Sequence, residues 1–152
     1  MISALRLSGE AREVALAEAQ AVRALASDER YRDRLAALVG AASEGEVGEE
    51  EAATLEELLE LGLQSGRIRA LYGPGGEQAA LGLYRRLPRG AEVVESARDV
   101  SAALRALEGR ELDSIDLRAV GPGAFTLSIS AGELELSLRL DRQGARLSTV
   151  GV

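Results

Sequence analysis

Arginine is the residue type through which this chain could best perform binding chemistry, the recognition of anions. All 18 basic residues are arginines, because the sequence contains neither lysine nor histidine. Several of them flank the segment Gly73-Pro74-Gly75-Gly76, which precedes a predicted helix. The N–H groups at a helix N-terminus and the planar guanidinium group both bind phosphate or carboxylate. The sequence therefore predicts a candidate anion site formed by Arg67, Arg69, Arg85 and Arg86.

The same glycine-rich segment also has a purely structural interpretation, a loop that binds nothing. It lacks the Lys-Ser/Thr pair of a phosphate-binding P-loop and the G-x-G-x-x-G spacing of a dinucleotide-binding turn. In addition, Glu77 lies where a bound anion would be expected. Both interpretations remain open at this level.

The missing residue types exclude several classes of catalyst. Without cysteine and histidine the chain can form no thiolate nucleophile, no Ser-His-Asp triad and no ordinary zinc or haem site. Without lysine it can form no Schiff base. We therefore expect no metal and no cofactor, and a binding module rather than an enzyme. The joint absence of lysine and asparagine, which have A-rich codons, is typical of a high-GC genome.

The formal net charge of −7 is unevenly distributed along the chain. Residues 43–60 contain eight glutamates and no basic residue, whereas residues 61–91 contain five arginines and a single glutamate. The two segments are expected to pair in part through weak surface ion pairs. Alternatively, they form an electrostatic docking surface for a partner or for a second copy of the chain.

Charge and hydropathy also bear on the environment of the protein. An acidic chain is a poor match for nucleic acid or for an anionic membrane surface, so neither is expected as a partner. No run of about 18 apolar residues predicts a membrane span, and the first residues do not resemble a signal peptide. The sequence-based expectation is a cytoplasmic protein.

The apolar residues of the first two-thirds of the chain recur at helical spacing. They predict about five helices, the second capped by Ser27 and stopped by Gly40, and the last opened by the capping box Ser96-Ala97-Arg98-Asp99. A loop is expected over residues 40–48, and residues 67–72 remain open between helix and strand. A short strand is expected at Glu92–Val94. Tyr31, Tyr72 and Tyr84 are interpreted mainly as core residues whose hydroxyl groups reach a partner.

After residue 110 the apolar period changes from 3.6 to 2, which predicts four short strands joined by turns. Short connections between alternating strands indicate an antiparallel meander with one aliphatic and one polar face. We therefore expect a single α+β domain over residues 1–152. Its helical layer, residues 1–110, is expected to pack on one face of a four-stranded antiparallel sheet, residues 111–152.

Three functions are compatible with this organisation. The preferred one is a non-enzymatic interaction or assembly module that forms a homodimer or binds another protein through its sheet or its charged helical surfaces. The second follows from the expected element order, which is similar to the ketosteroid-isomerase-like cone fold. That similarity implies a ligand pocket in which a carboxylate such as Asp116 and a tyrosine hydroxyl act together. The third is an anion or nucleotide binder that uses the four arginines.

Overall fold

The computed structural model describes residues 4–151, and the chain divides after Gly90 into two compact units. We call residues 4–90 the helical unit and residues 91–151 the sheet unit. The fold is α+β, as the sequence predicts, because five α-helices precede a four-stranded antiparallel sheet.

The secondary structure follows a simple order along the chain. The helices are α1 (Gly9–Leu25), α2 (Glu29–Glu44), α3 (Glu49–Gln64), α4 (Arg67–Tyr84) and α5 (Pro88–Leu104), and a 3-10 turn at Arg105–Leu107 follows α5. Strands β1 (Leu5–Arg6) and β2 (Glu46–Val47) pair in a short antiparallel ladder. The meander consists of β3 (Ser114–Gly121), β4 (Ala124–Ala131), β5 (Leu134–Asp141) and β6 (Gly144–Gly151), in that order across the sheet.

The helical unit has a closed aliphatic core. Helix α1 packs against α2 and α4, and α3 packs against the same two helices. Leu35, Leu55 and Ile68, from three of these helices, are completely buried. Gly62 allows α3 and α4 to approach closely, because a Cβ atom there would lie 2.5 Å from Cδ1 of Ile68. A side chain at this position would require the side chain of Ile68 to shift within the core.

Helix α2 is longer than its sequence predicts. It passes through Gly40 and ends at Glu44, so the expected stop at Gly40 and the loop over residues 40–48 are wrong. Glycine inside a helix costs only about 1 kcal/mol relative to alanine. The left-handed backbone that ends the helix occurs instead at Gly45, with φ of 81°, whose N–H group donates to carbonyl groups of the last turn. Asp28, rather than Ser27, precedes the first helical residue.

Helix α5 begins earlier than the sequence predicts. It starts at Pro88 and includes Glu92–Val94, so the short strand expected there and the helix start at Ser96 are both wrong. Proline suits the first position of a helix. The carboxylate of Glu56 in α3 then accepts the N–H group of Arg89 at 2.7 Å. This cap comes from a distant part of the chain, and for that reason local sequence does not reveal it.

The glycine-rich segment interrupts a helix rather than forming a separate loop. Residues 67–72 are helical, and Gly73 adopts φ 72° and ψ −177°, a conformation outside the helical region that favours glycine. Pro74 follows, and the helix resumes to Tyr84. The segment is therefore a kink within α4.

The pairing register of the meander places its aliphatic side chains on one face of the sheet. Residues that lie directly opposite each other on antiparallel strands share a face of the sheet. Three apolar rows cross all four strands: Ile115–Ile129–Leu136–Val150, Leu117–Leu127–Leu138–Leu147 and Ala119–Phe125–Leu140–Ala145. The other face carries mainly serine, threonine and charged residues, as expected.

The aliphatic face is buried at its centre and exposed at its edges. Leu136 and Leu138 on β5 are each 2% exposed, whereas Ile115 and Leu117 on β3 are 61% and 57% exposed. Helix α5 contributes Val93, whose side chain lies against Gly144 at the start of β6. The exposed part of this face therefore includes β3.

Candidate functional site

The four arginines of the predicted anion site fall into two pairs at opposite ends of α4. Arg67 and Arg69 belong to its first turn, and Arg85 and Arg86 follow its last residue. Nε of Arg67 donates to Oε1 of Glu18 at 2.7 Å, and Arg86 donates to the carbonyl oxygen of Arg6 at 3.1 Å. Arg69 and Arg85 are exposed. The structure therefore does not gather the four around one point, and anion binding by them stays a prediction.

A carboxylate of the chain itself lies beside the kink in α4. Oε1 of Glu10 is 3.2 Å from the position that a Cβ atom on Gly75 would occupy. The second half of α4 begins here, and a helix N-terminus favours negative charge. Glu10 thus stands close to where the sequence predicts an external anion, and the lack of a side chain at Gly75 makes room for it.

Glu18 is a buried carboxylate in the middle of α1. It is 1% exposed, and Oε2 has no hydrogen-bond partner among residues 4–151. Its other oxygen accepts from Arg67, and Tyr72 lies nearby. Burial, followed by the negative charge of Glu18, raises the pKa of the Tyr72 phenol. Arg67, at the start of α4, is therefore held by α1 and is not available as an independent ligand-binding group.

A second ionic network joins α3 to the end of α4 and the start of α5. Arg89 pairs with Glu56 at 3.4 Å and with Glu60 at 3.0 Å. The hydroxyl group of Tyr84 donates to Oε1 of Glu60 at 3.0 Å, and burial together with this hydrogen bond raises the pKa of Tyr84 to about 12. These contacts confirm that the acidic and arginine-rich segments pair in part, and that the Tyr84 hydroxyl reaches a partner.

The helical unit also contains an apolar pocket of about 240 Å³ beside β2 and the start of α3. Two of the polar side chains that line it are already engaged, Glu56 with Arg89 and Arg86 with the carbonyl group of Arg6. Pockets for drug-sized ligands usually measure about 300–1,000 Å³ and hold polar groups that orient the ligand. The pocket is therefore a weaker candidate for a functional site than the exposed edge of the sheet.

That exposed edge is strand β3. Within the described residues β3 pairs only with β4, and all eight of its residues are exposed. Ile115 and Leu117 point to the aliphatic face, while Asp116 and Arg118 point to the polar face and pair with each other at 3.4 Å. Asp116, the carboxylate proposed for a cone pocket, is thus a strand residue with a 63% exposed side chain. Sequence alternation predicts these faces, but it does not reveal which strand is uncovered.

Each edge strand of the sheet has one register shift. The shift of β6 with β5 lies in the middle of the strand, between Ser137 and Leu138, whereas the shift of β3 with β4 lies near the end of β3, between Ala119 and Gly121, and leaves the register continuous from Ser114 to Ala119. Irregularities of this kind discourage the pairing of an edge with another strand. Of the two edges, β3 is the better template for a further strand.

Comparison with known proteins gives no further constraint. No protein-family model, no curated protein and no solved structure matches the chain. Within residues 4–151 no three acidic side chains are grouped so that they could hold a metal ion. In the same range no helix combines the length and the apolar character needed to cross a bilayer.

Proposed function

We propose that the protein is a non-enzymatic interaction module that forms a homodimer through its sheet unit. The observation that carries this proposal is the exposure of Ile115 and Leu117, 61% and 57%, as neighbours on one face of an edge strand. Burial of apolar surface contributes roughly 25 cal/mol per Å². Exposed apolar patches on soluble proteins are often sites of interaction with other molecules.

A second copy of the chain is the partner that best fits this edge. An edge strand presents unpaired backbone groups as well as side chains, and a second edge strand can satisfy both. Homodimers with a two-fold axis are the commonest soluble assemblies, because every copy carries the same surface. The alternative of a cone pocket is less well supported, since Asp116, its proposed carboxylate, lies on an exposed edge strand and pairs with Arg118.

The proposal is tested by sedimentation velocity over a range of protein concentrations. Leu117→Asp places a charge in the proposed interface, and Leu61→Asp places the same charge on an exposed leucine of the helical unit, 64% exposed. We expect the unchanged protein and Leu61→Asp to dimerise alike and Leu117→Asp to remain a monomer. Circular dichroism verifies that both variants are folded.

Two results would contradict the proposal. The first is a protein that stays monomeric at every concentration, including the highest that remains soluble. The second is equal loss of the dimer in the two variants, because a general effect of added negative charge would then explain it.

A further inference from the structure

We infer that two copies join their β3 strands in antiparallel orientation about a two-fold axis that passes through Leu117, so that the two four-stranded sheets become one. This inference rests on the proposed homodimer and specifies its geometry. It follows from the order of side chains along β3 and from the face on which each lies.

The segment Ile115-Asp116-Leu117-Arg118-Ala119 is complementary to itself when the strand direction is reversed. With the axis at Leu117, Asp116 of each copy lies opposite Arg118 of the other, which gives two cross-strand ion pairs on the polar face. Ile115 lies opposite Ala119 on the aliphatic face. Opposite charges in such cross-strand positions stabilise the pairing of strands.

Neighbouring registers are less favourable for identifiable reasons. An axis at Asp116 or at Arg118 places two like charges directly opposite each other, which destabilises a strand pair. An axis halfway between Asp116 and Leu117 joins the aliphatic face of one copy to the polar face of the other. Among these registers, the axis at Leu117 alone keeps both faces continuous and both charges paired.

The charged side chains of β3 are available to form these ion pairs with a second copy. The side chains of Asp116 and Arg118 are 63% and 70% exposed, and among residues 4–151 of one copy their ion pair is with each other, at 3.4 Å. Both belong to the part of β3 whose register with β4 is continuous. Dimerisation would replace the two contacts within the strands, one in each copy, by two contacts across the interface.

Charge exchange tests the register. Asp116→Arg and Arg118→Asp each place like charges opposite each other at both pairs, and we expect either to raise the dimer dissociation constant roughly tenfold or more. The double variant Asp116→Arg/Arg118→Asp exchanges the two charges and should dimerise like the unchanged protein. A mixture of the two single variants should form heterodimers in preference to homodimers, which native mass spectrometry resolves by mass.

Cysteine cross-linking locates the axis directly, since the chain contains no cysteine. Leu117→Cys would bring two thiols opposite each other, with Cα atoms about 4.5–5.5 Å apart, within the range that a disulfide spans. We expect this variant to form a disulfide-linked dimer on mild oxidation. The control is Thr149→Cys, an exposed position on the opposite edge strand β6, which should not.

The possible outcomes separate this inference from the proposed function. A dimer that ignores the charge exchange and whose Leu117→Cys variant links no faster than Thr149→Cys overturns the β3 register but leaves self-association intact. Rapid linking of Thr149→Cys alone overturns it in favour of β6. A monomeric protein contradicts the proposed function and the inference together.

Discussion

The two units of this chain enclose their apolar residues to different extents. In the helical unit, Leu35, Leu38 and Leu59 are completely buried, and each buried glutamate has an arginine partner. In the sheet unit, an aliphatic face that is buried at its centre continues onto an exposed strand. Helices satisfy their backbone hydrogen bonds internally, whereas an open sheet has two edges that do not. The helical unit is therefore closed, and the sheet unit is open to a further strand.

Exposed aliphatic side chains occur in both units, and their arrangement is what differs. Leu25, Leu61 and Leu71 are exposed, but they lie on three separate helices. Single exposed leucines are normal on protein surfaces. In the sheet unit, Ile115 and Leu117 share one face of one strand. The two units therefore differ in how their exposed aliphatic residues are arranged.

The largest expected effect on the free energy of unfolding is that of a substitution at Gly90, where the start of α5 packs tightly against the end of α4. A Cβ atom at this position would lie 1.8 Å from the carbonyl oxygen of Tyr84, a backbone atom that cannot move without shifting the turn between α4 and α5. We expect Gly90→Ala to lower the free energy of unfolding by about 3 kcal/mol or more. Chemical denaturation followed by circular dichroism measures the change.

The matched control for this substitution is Gly82→Ala. Gly82 lies in α4, and a Cβ atom there would meet nothing within 4 Å. Alanine at a compatible helical position stabilises by about 0.5–1 kcal/mol. If Gly90→Ala proved as harmless as this control, the tight packing of the helical unit at this turn would be wrong.

The next largest expected effect on the free energy of unfolding is that of removing Arg67 from its ion pair with the buried Glu18. Arg67→Met leaves a carboxylate that is 1% exposed without its cation. Loss of one partner from a fully buried pair costs about 3–5 kcal/mol. Because Arg67 is itself 35% exposed, we expect a smaller loss of about 2 kcal/mol.

The double variant Glu18→Met/Arg67→Met sharpens this prediction. It removes the buried charge together with its partner, so it should be more stable than Arg67→Met alone. Thermal unfolding of the three proteins under one set of conditions gives the comparison. A double variant less stable than the single one would show that the pair is more than a compensated buried charge.

The smallest effect concerns Tyr84, which links α4 to Glu60. Its phenol has a pKa of about 12 in the folded protein and 10.0 in a model compound. The unfolded chain therefore releases this proton first, so the contribution to stability is complete below pH 10 and is lost as the pH rises toward 12. Tyr84→Phe should reduce this alkaline loss and should cost about 1 kcal/mol at neutral pH.

The pH dependence of the free energy of unfolding measures this contribution. Tyr31→Phe is a useful control, because the pKa of Tyr31 is also raised, chiefly by burial, although the structure gives its hydroxyl group no hydrogen bond to Glu60. An alkaline profile that is the same for Tyr84→Phe and the unchanged protein would contradict the role assigned to the hydrogen bond with Glu60.

Much of the fold could be predicted from local patterns in the sequence. The bounds of α3, Glu49–Gln64, follow from glutamates in its first turn and an apolar stripe at helical spacing. Strands β3, β4 and β5 follow from alternation between turn-forming residues, whereas the alternation of β6 is weaker and is broken where its register with β5 shifts, between Ser137 and Leu138. Both patterns are local. The folded chain forms the elements that they predict because the face that is apolar in the sequence is also the face that packs in the fold.

The features that the sequence did not predict depend on contacts between distant residues. The start of α5 depends on Glu56, which lies 33 residues before Arg89 along the chain. Arg67 lies 49 residues from Glu18, and a glutamate in an alanine-rich helix resembles a surface residue. The exposure of β3 also escapes prediction, since an edge strand and a central strand can show the same alternation.

Backbone amide hydrogen exchange, measured at a low and at a high protein concentration, tests the pairing of β3 with a second copy most directly. If β3 pairs with a second copy, amide groups between Ser114 and Ala119 should exchange more slowly at the high concentration, while amide groups of the buried α2 segment around Leu35 should not change. Equal exchange of β3 at both concentrations, in a range where the protein is shown to self-associate, would contradict pairing through this strand. Equal exchange together with a monomeric mass would contradict the open sheet unit as an interaction site.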